Sequence, residues 1–360
     1  MRPDVLVLNS DFTTAGYMDT YRSLIWNDKF AEVGDFDLEL PVTAEALSLL
    51  QVERYCIQSN SDRTMIISSR YLRQDATAGN SLIVKGYSLE NILKRRIVWG
   101  LITLQGNLQD AVERILNENV ISPSNSARRI PGFTFKRSSD SRITSLTIDT
   151  QSTGDVVYAL ISDICKDNDL GFKVTLTAAN QFQFELYLGA DRSYSQEQNP
   201  YVVFSPKYDT LPNSQHIYST DDWCNAALIG GEGEGSERRY QSVGTSEGLS
   251  RRELFVDARD ISSRIDNDNT MSDADYNSVM QQRGYLKLLD YTIDSSFEAD
   301  IQTNTLFKYN RDFYMGDVVQ VDNGLGTTGR FRVTELVQTY DAIGESIIPT
   351  FSGVNSEEED

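Results

Sequence analysis

The chain has 360 residues, enough for two or three domains of ordinary size, and 53 acidic against 33 basic residues give it a formal net charge of -20. That balance argues against binding duplex nucleic acid by phosphate neutralisation, which needs a basic face. Cys56, Cys165 and Cys224 are far apart and lack CxxC spacing, so they read as buried apolar residues rather than metal ligands or a disulfide framework, and the chain fits assembly in a reducing cytoplasm.

In chain order, residues 5–8 form a short apolar strand. Residues 21–41, YRSLIWNDKFAEVGDFDLELP, follow as two alternating runs joined across a polar segment ending in Gly34-Asp35. Residues 43–50 have the Thr cap and Leu spacing of a short helix. Strand-like runs at 54–58, 64–72 and 81–87 come next. Ser88 can cap a helix through Arg96, with Lys94, Arg95 and Arg96 in the last turn, where they complement the helix dipole. Asn107 caps another, in which Leu108, Val112, Ile115 and Leu116 follow helical spacing. The Ser-rich stretch 122–142, with two prolines, reads as a loop or linker. Residues 155–167 are the clearest amphipathic helix, and 172–176 with 182–188 make a hairpin after it, giving a small α+β module.

A strand at 201–206 and an irregular stretch lead to a strand at 225–229 and the polar loop GGEGEGSERR. Residues 273–289 have helical spacing weakened by Gly284. The end is β again, at 291–299, 305–308, 317–321, 330–340 and 346–351, followed by a solvated acidic tail. The longest apolar run, 156–161, has six residues, so neither a signal peptide nor a membrane span is expected.

Residues 306–322, LFKYNRDFYMGDVVQVD, repeat the outline of the first alternating pair. Asn27, Phe30, Gly34 and Asp35 correspond to Asn310, Phe313, Gly316 and Asp317. If the two are equivalent, each turns at its Gly-Asp, with positive φ at Gly34 and Gly316, and sends a strand into a separate barrel that Phe30 or Phe313 plugs.

Constellations that carry chemistry are sparse. His216 is the only histidine, and no nucleophile elbow accompanies it, so a Ser-His-Asp or HExxH site is not expected. Residues 230–235 lack the Lys-Ser/Thr of a phosphate loop, and their glutamates would repel phosphate. The acidic loop 266–273 has Met271 where a calcium loop needs glycine and Asn277 where it needs the bidentate glutamate. Glycoside hydrolysis needs only two carboxylates and stays open. The basic run Arg128, Arg129, Lys136, Arg137 and Arg142 lacks interleaved stacking aromatics and reads as a solvated linker.

Five segments in order, 19–41, 86–98 (GYSLENILKRRIV), 184–193 (FELYLGADRS), 251–261 (RRELFVDARDI) and 313–321 (FYMGDVVQV), together with the closing IIPTF, resemble the siphophage tail proteins that serve as baseplate hub or tail-associated (tail tip) protein. The resemblance implies a virion structural protein similar in fold to the central baseplate hub of contractile phages. Such hubs are homotrimers in which two β-barrel domains per chain build a pseudo-sixfold ring.

The expected fold is accordingly mainly β and multidomain, with two β-barrel-like hub modules and a smaller α+β module. Its boundaries would be 1–103 for the first hub module, completed by 201–225, 104–200 for the α+β insertion, and 201–360 for the second hub module with a helix near 273–289. Its implied partners are itself as a homotrimer, the distal tail protein ring, the tape-measure protein, and receptor-binding or tip fibre proteins. DNA is in contact only in transit, no cofactor or membrane span is expected, and no enzymatic role is carried over because the chain stops at the hub. The alternatives are a tail-tip glycan-binding protein or glycosidase acting on cell-wall polysaccharide, and the hexameric distal tail adaptor ring.

Overall fold

The computed structural model describes residues 2–75, 79–211, 213–264, 269–300, 306–326 and 328–354. The first part of the chain runs β1 (Val5–Leu8), β2 (Thr14–Met18), β3 (Ser23–Lys29), β4 (Asp35–Pro41), α1 (Ala44–Leu49), β5 (Tyr55–Gln58), β6 (Thr64–Arg73) and β7 (Ser81–Ser88). It continues through β8 (Leu101–Asn107), α2 (Leu108–Leu116), β9 (Phe133–Lys136), α3 (Ser141–Thr144), β10 (Thr147–Thr153), α4 (Val157–Asp167), β11 (Gly171–Leu176) and β12 (Phe182–Tyr187). Then come β13 (Val203–Phe204), β14 (Asn213–Ser219), β15 (Ala226–Gly230), β16 (Tyr240–Val243), β17 (Glu253–Asp257) and α5 (Asp273–Leu288). The chain closes with β18 (Asp294–Asp300), β19 (Val318–Asp322), β20 (Thr328–Tyr340) and β21 (Glu345–Gly353). The fold is mixed α/β with several sheets.

Two compact units are formed, Met1–Asn91 with Gly171–Ile217 and Ser295–Asp360, and Ile92–Leu170 with Tyr218–Asp294. Each is built from non-contiguous segments. The reason lies in long-range pairing, above all that of β20 with β3 in the first unit.

In that unit the large sheet follows the order β14-β18-β21-β20-β3-β4-β7-β6-β5-β1-β2, with β13 and β19 joined to one side of β20. Among the described residues the path is open, and no barrel closure is seen for the two β-barrel-like modules that the resemblance implies. There are nevertheless two cores. The first holds Trp26, Phe36, Leu38, Val84 and Tyr340. The second holds Phe204, Phe297, Phe313, Phe331 and Phe351.

One strand serves both. β20 pairs with β19 from Thr328 to Arg332 and with β3 from Glu335 to Tyr340, and its pairing with β21 shifts register between Val333 and Glu335. A bulge inserts one residue and bends the strand. Here it is Thr334, whose freed carbonyl accepts the Phe30 N–H at 2.9 Å.

The second unit pairs β8 with β10 antiparallel. It also contains a separate sheet, β16-β15-β17, with β15 and β17 parallel. Tyr276, Val279 and Met280 of α5 pack with Ala227, Ile229 and Val256 of that sheet. Helix α2 forms where the Asn107 cap predicts it, and the Asn107 side chain accepts from the N–H groups of Gln109 and Asp110.

Several elements depart from the sequence expectation. The segment after Ser88 is a 3-10 helix, Leu89–Arg95, rather than an α-helix. β2, β8, β10, β16 and β17 were not expected as strands, and β9 lies inside the stretch read as a linker. Residues 306–308 are not a strand, and residue 305, the acidic tail and part of the acidic loop 266–273 lie outside the described residues.

Candidate functional site

Of the residues singled out in the sequence, Phe30, Phe313 and Gly316 come together in the second core of the first unit, at its junction with the end of β3. β3 delivers Leu24 and Trp26 into the first core, and the residue following it, Phe30, enters the second. The Phe30 ring lies edge-on to Tyr187, with centroids 5.3 Å apart, under the Arg332 guanidinium at 5.2 Å. Two glycines make room for it: a Cβ on Gly171 would lie 2.4 Å from Phe30 Cε2, and one on Gly316 2.5 Å from the same atom. Phe313 belongs to the same core as Phe30, edge-on to Phe204 at 5.4 Å, so the two phenylalanines do not plug separate modules.

The two Gly-Asp pairs also differ. Each precedes an alternating strand, β4 or β19, as expected. Gly316 has φ +89, whereas Gly34 is not left-handed and is required for another reason: a Cβ there would sit 2.3 Å from the Asn27 carbonyl oxygen. Asn27 lies within β3, opposite Asp35, and its Nδ2 donates to Asp35 at 3.1 Å and to Glu335 at 2.5 Å. Asn310 instead sits in a left-handed turn at φ 61 and donates from Nδ2 to the Asn60 carbonyl. Asp317 is a fastening point. It accepts from the Ala190 N–H and Arg192 Nε, each at 2.7 Å, and from the Tyr314 N–H at 3.0 Å.

Beside this junction is a buried ionic node with no sequence signature. Arg63 and Glu90, almost wholly enclosed, form an ion pair at 2.5 Å, and Glu90 Oε1 also accepts the Val174 N–H at 2.9 Å. Arg63 donates further to the Lys29 carbonyl and the Tyr187 hydroxyl. Burial alone would lower the Arg63 pKa, but Tyr187, Glu90, Asp62 and Asp28 around it raise it. Asp28 accepts from Trp26 Nε1 at 3.1 Å and from Ser61 Oγ at 2.7 Å. Its pKa is pushed up to about 7 from 3.8 by burial, with Arg63 and Ser61 opposing and Asp62 and Glu90 adding to the rise.

That rise fixes a pH dependence. An acid whose folded pKa lies above its unfolded value holds extra protons when folded, so its contribution to stability is complete below about pH 4 and is lost as pH rises toward about 7. In urea unfolding, the stability of the wild type relative to Asp28→Asn should fall across that window with a slope of up to about 1.4 kcal/mol per pH unit, and level off above it. Parallel profiles for the two proteins would refute it. Asn suits the test because its Oδ1 can still accept from Trp26 while its Nδ2 donates to Ser61.

Among the described residues, no group of three or more His, Cys, Asp and Glu side chains could hold a metal ion, and no helix is long and apolar enough to cross a membrane. His216 is exposed, with its ring 6.3 Å from that of Phe297. Cys56 and Cys165 are buried free thiols, as expected, and Cys224 is half-buried.

The fold recurs in phage tail proteins. A tail protein from Neisseria meningitidis MC58 matches with a TM-score of 0.57 and 13% identity, covering 98% of this chain and 97% of its own. The 43 kDa tail protein of prophage MuSo2 from Shewanella oneidensis matches at 0.56 and 11%, covering 97% and 98%. Prophage tail protein gp18 from Listeria monocytogenes EGD-e matches at 0.52 and 14%, covering 99% and 95%. No curated protein matches the sequence.

The fold is therefore one shared with these phage tail proteins. The chain belongs to the family described as Siphovirus ReqiPepy6 Gp37-like protein, whose model matches residues 4–351.

Proposed function

We propose that this protein is the baseplate hub of a siphophage tail tip, a ring of three copies that joins the tail tube to the tip and opens for the tape-measure protein and DNA. The observation that carries the reading is the near full-length correspondence of fold with phage tail proteins. The architecture of the first unit supports it. In this reading the two cores that share strand β20 would belong to two barrel-like modules per chain, so that three chains would offer six faces to a sixfold tube. Gly34-Asp35 and Gly316-Asp317 open the strands of these modules, and Phe30 and Phe313 both lie in the second core.

The partners in this reading are a distal tail protein ring, the tape-measure protein and receptor-binding or tip fibre proteins, with DNA touched only in transit. Its place is the virion tail tip, after assembly in the host cytoplasm. The action is mechanical, with no cofactor and no catalysis. Light scattering on a tip complex reconstituted with the tube and distal ring should count three copies. Six copies, or one, would overturn the hub reading.

A further inference from the structure

Although the chain is strongly acidic overall, one surface of the second unit is cationic and carries an exposed indole. Trp99 is 57% exposed, and the Arg128 guanidinium lies over its ring at 4.2 Å. The pair is held in place from beneath. The buried Asn119 amide oxygen accepts both the Trp99 N–H at 3.3 Å and Arg128 Nη2 at 3.1 Å, while its Nδ2 donates to the Ile115 carbonyl. Arg128 also donates to the Ile97 carbonyl, and Arg96 Nε donates to the Arg128 carbonyl at 2.7 Å.

Ile97 and Val156, bridged to one another, are exposed beside the indole, and Arg129 is exposed next to Arg128. Neither the Arg96 nor the Arg128 guanidinium bonds a carboxylate among the described residues, since their acceptors are backbone carbonyls and the Asn119 amide. Burial and the neighbouring Arg96 both lower the Arg128 pKa, the mark of a cation short of a counter-charge. Other arginines of the same stretch are already paired, Arg137 with Asp110 and Glu113, and Arg142 with Asp140.

We propose that the Trp99–Arg128 pair, with Ile97 and Val156 beside it and Arg96 and Arg129 around it, is a docking site for a short acidic segment of another protein. Tryptophan and arginine fixed before contact are the residues that most often anchor an interface, and a planar guanidinium fork suits carboxylates. A short segment fits better than a broad face, because a stable interface covers roughly 800 Å² per partner and this surface comprises a few side chains. Single-stranded nucleic acid is disfavoured: such sites use successive stacking rings along a basic track, and here one ring is exposed with one face already covered.

The test uses the full chain and a short oligoglutamate peptide with a leucine at its centre, with a short oligo-dT as comparison, both at low ionic strength. Trp26 is wholly buried and Trp223 half-buried, so Trp99 dominates any change in indole emission on binding. The peptide should shift that emission saturably and bind more weakly as salt is raised. Arg96→Glu combined with Arg128→Glu should weaken it by about tenfold or more, and Trp99→Ala, read by calorimetry, should weaken it severalfold. Because Arg128 also bonds backbone, Arg129→Glu at the exposed edge serves as the second variant and should weaken binding with an unchanged circular dichroism spectrum. No saturable response, equal affinity in the charge-reversed variants, tighter binding of oligo-dT than of peptide, or self-association abolished by Arg128→Glu would each overturn the proposal.

Discussion

Replacing Glu90 with alanine should lower the stability of the first unit by about 3–5 kcal/mol, because it leaves the buried Arg63 guanidinium without its closest carboxylate, Asp62 approaching only to 3.6 Å. The Arg63 and Glu90 side chains are almost fully enclosed, so water cannot take the place of the lost carboxylate. The Val174 N–H would lose its acceptor in the same step, and that N–H belongs to β11, which lies beside Phe30 through Gly171. The damage should therefore spread to the junction. Removing both charges at once, as Arg63→Met with Glu90→Leu, should cost clearly less than Glu90→Ala alone, since a buried ion pair is worth little relative to well-packed apolar groups while half of one is expensive. Urea unfolding followed by Trp26 emission reports on this unit directly, because Trp26 donates to Asp28 of the same node. A loss below about 1 kcal/mol, the size expected of an exposed pair, would mean that the node is open to solvent.

The node shows what the sequence could not reveal. Arg63 follows Ser61-Asp62 and Glu90 stands between Leu89 and Asn91, so in chain order neither is marked as buried; only the three-dimensional fold encloses them. Elements with strong periodicity were legible. The alternation of residues 21–41 became β3 and β4, and the caps at Thr43 and Asn107 became α1 and α2. Strands with a polar inner face were not. β10 reads TIDTQST, yet Thr150, Gln151 and Ser152 are buried, so its inward residues carry no apolar signal. β2 is interrupted by Gly16, and β16 and β17 are short strands with few buried positions.

The candidate site was legible in part. Phe30, Phe313, Gly316 and Asp317 do converge, but through Thr334, Gly171 and Gly189, which no repeat pointed to. Gly34 and Gly316 read in the sequence as equivalent turns with positive φ, but only Gly316 has one. One answers to close backbone approach and the other combines a left-handed φ with contact to Phe30, a distinction that sequence cannot draw.

Gly189 gives the sharpest test of the junction. A Cβ at this position would lie 2.1 Å from both the carbonyl carbon and the oxygen of Gly316, and 2.2 Å from the Asp317 nitrogen. All three are backbone atoms, so no side-chain rotation can relieve the clash, and one of the two segments must move by about 1 Å or more. Neither moves freely. The Val318 N–H donates to the Ala190 carbonyl at 2.9 Å and the Arg192 N–H to the Val318 carbonyl at 2.7 Å, while Asp317 binds the Ala190 N–H and the Arg192 guanidinium. On the far side the Gly316 N–H is tied to the Val333 carbonyl next to the bulge. Gly189→Ala should therefore cost about 3–5 kcal/mol and loosen the second core. The informative control is Gly154→Ala, in the second unit. That glycine has φ +78 but nothing within 4 Å of its Cβ position, so the substitution should cost only about 1 kcal/mol of backbone strain. If the two variants unfold at the same urea concentration, with transitions equally steep, the close approach of residues 189 and 316 does not hold the junction. A loss several times larger for Gly189→Ala than for Gly154→Ala, accompanied by new proteolytic cleavage near residues 189–192 or 316–318, is the expected result.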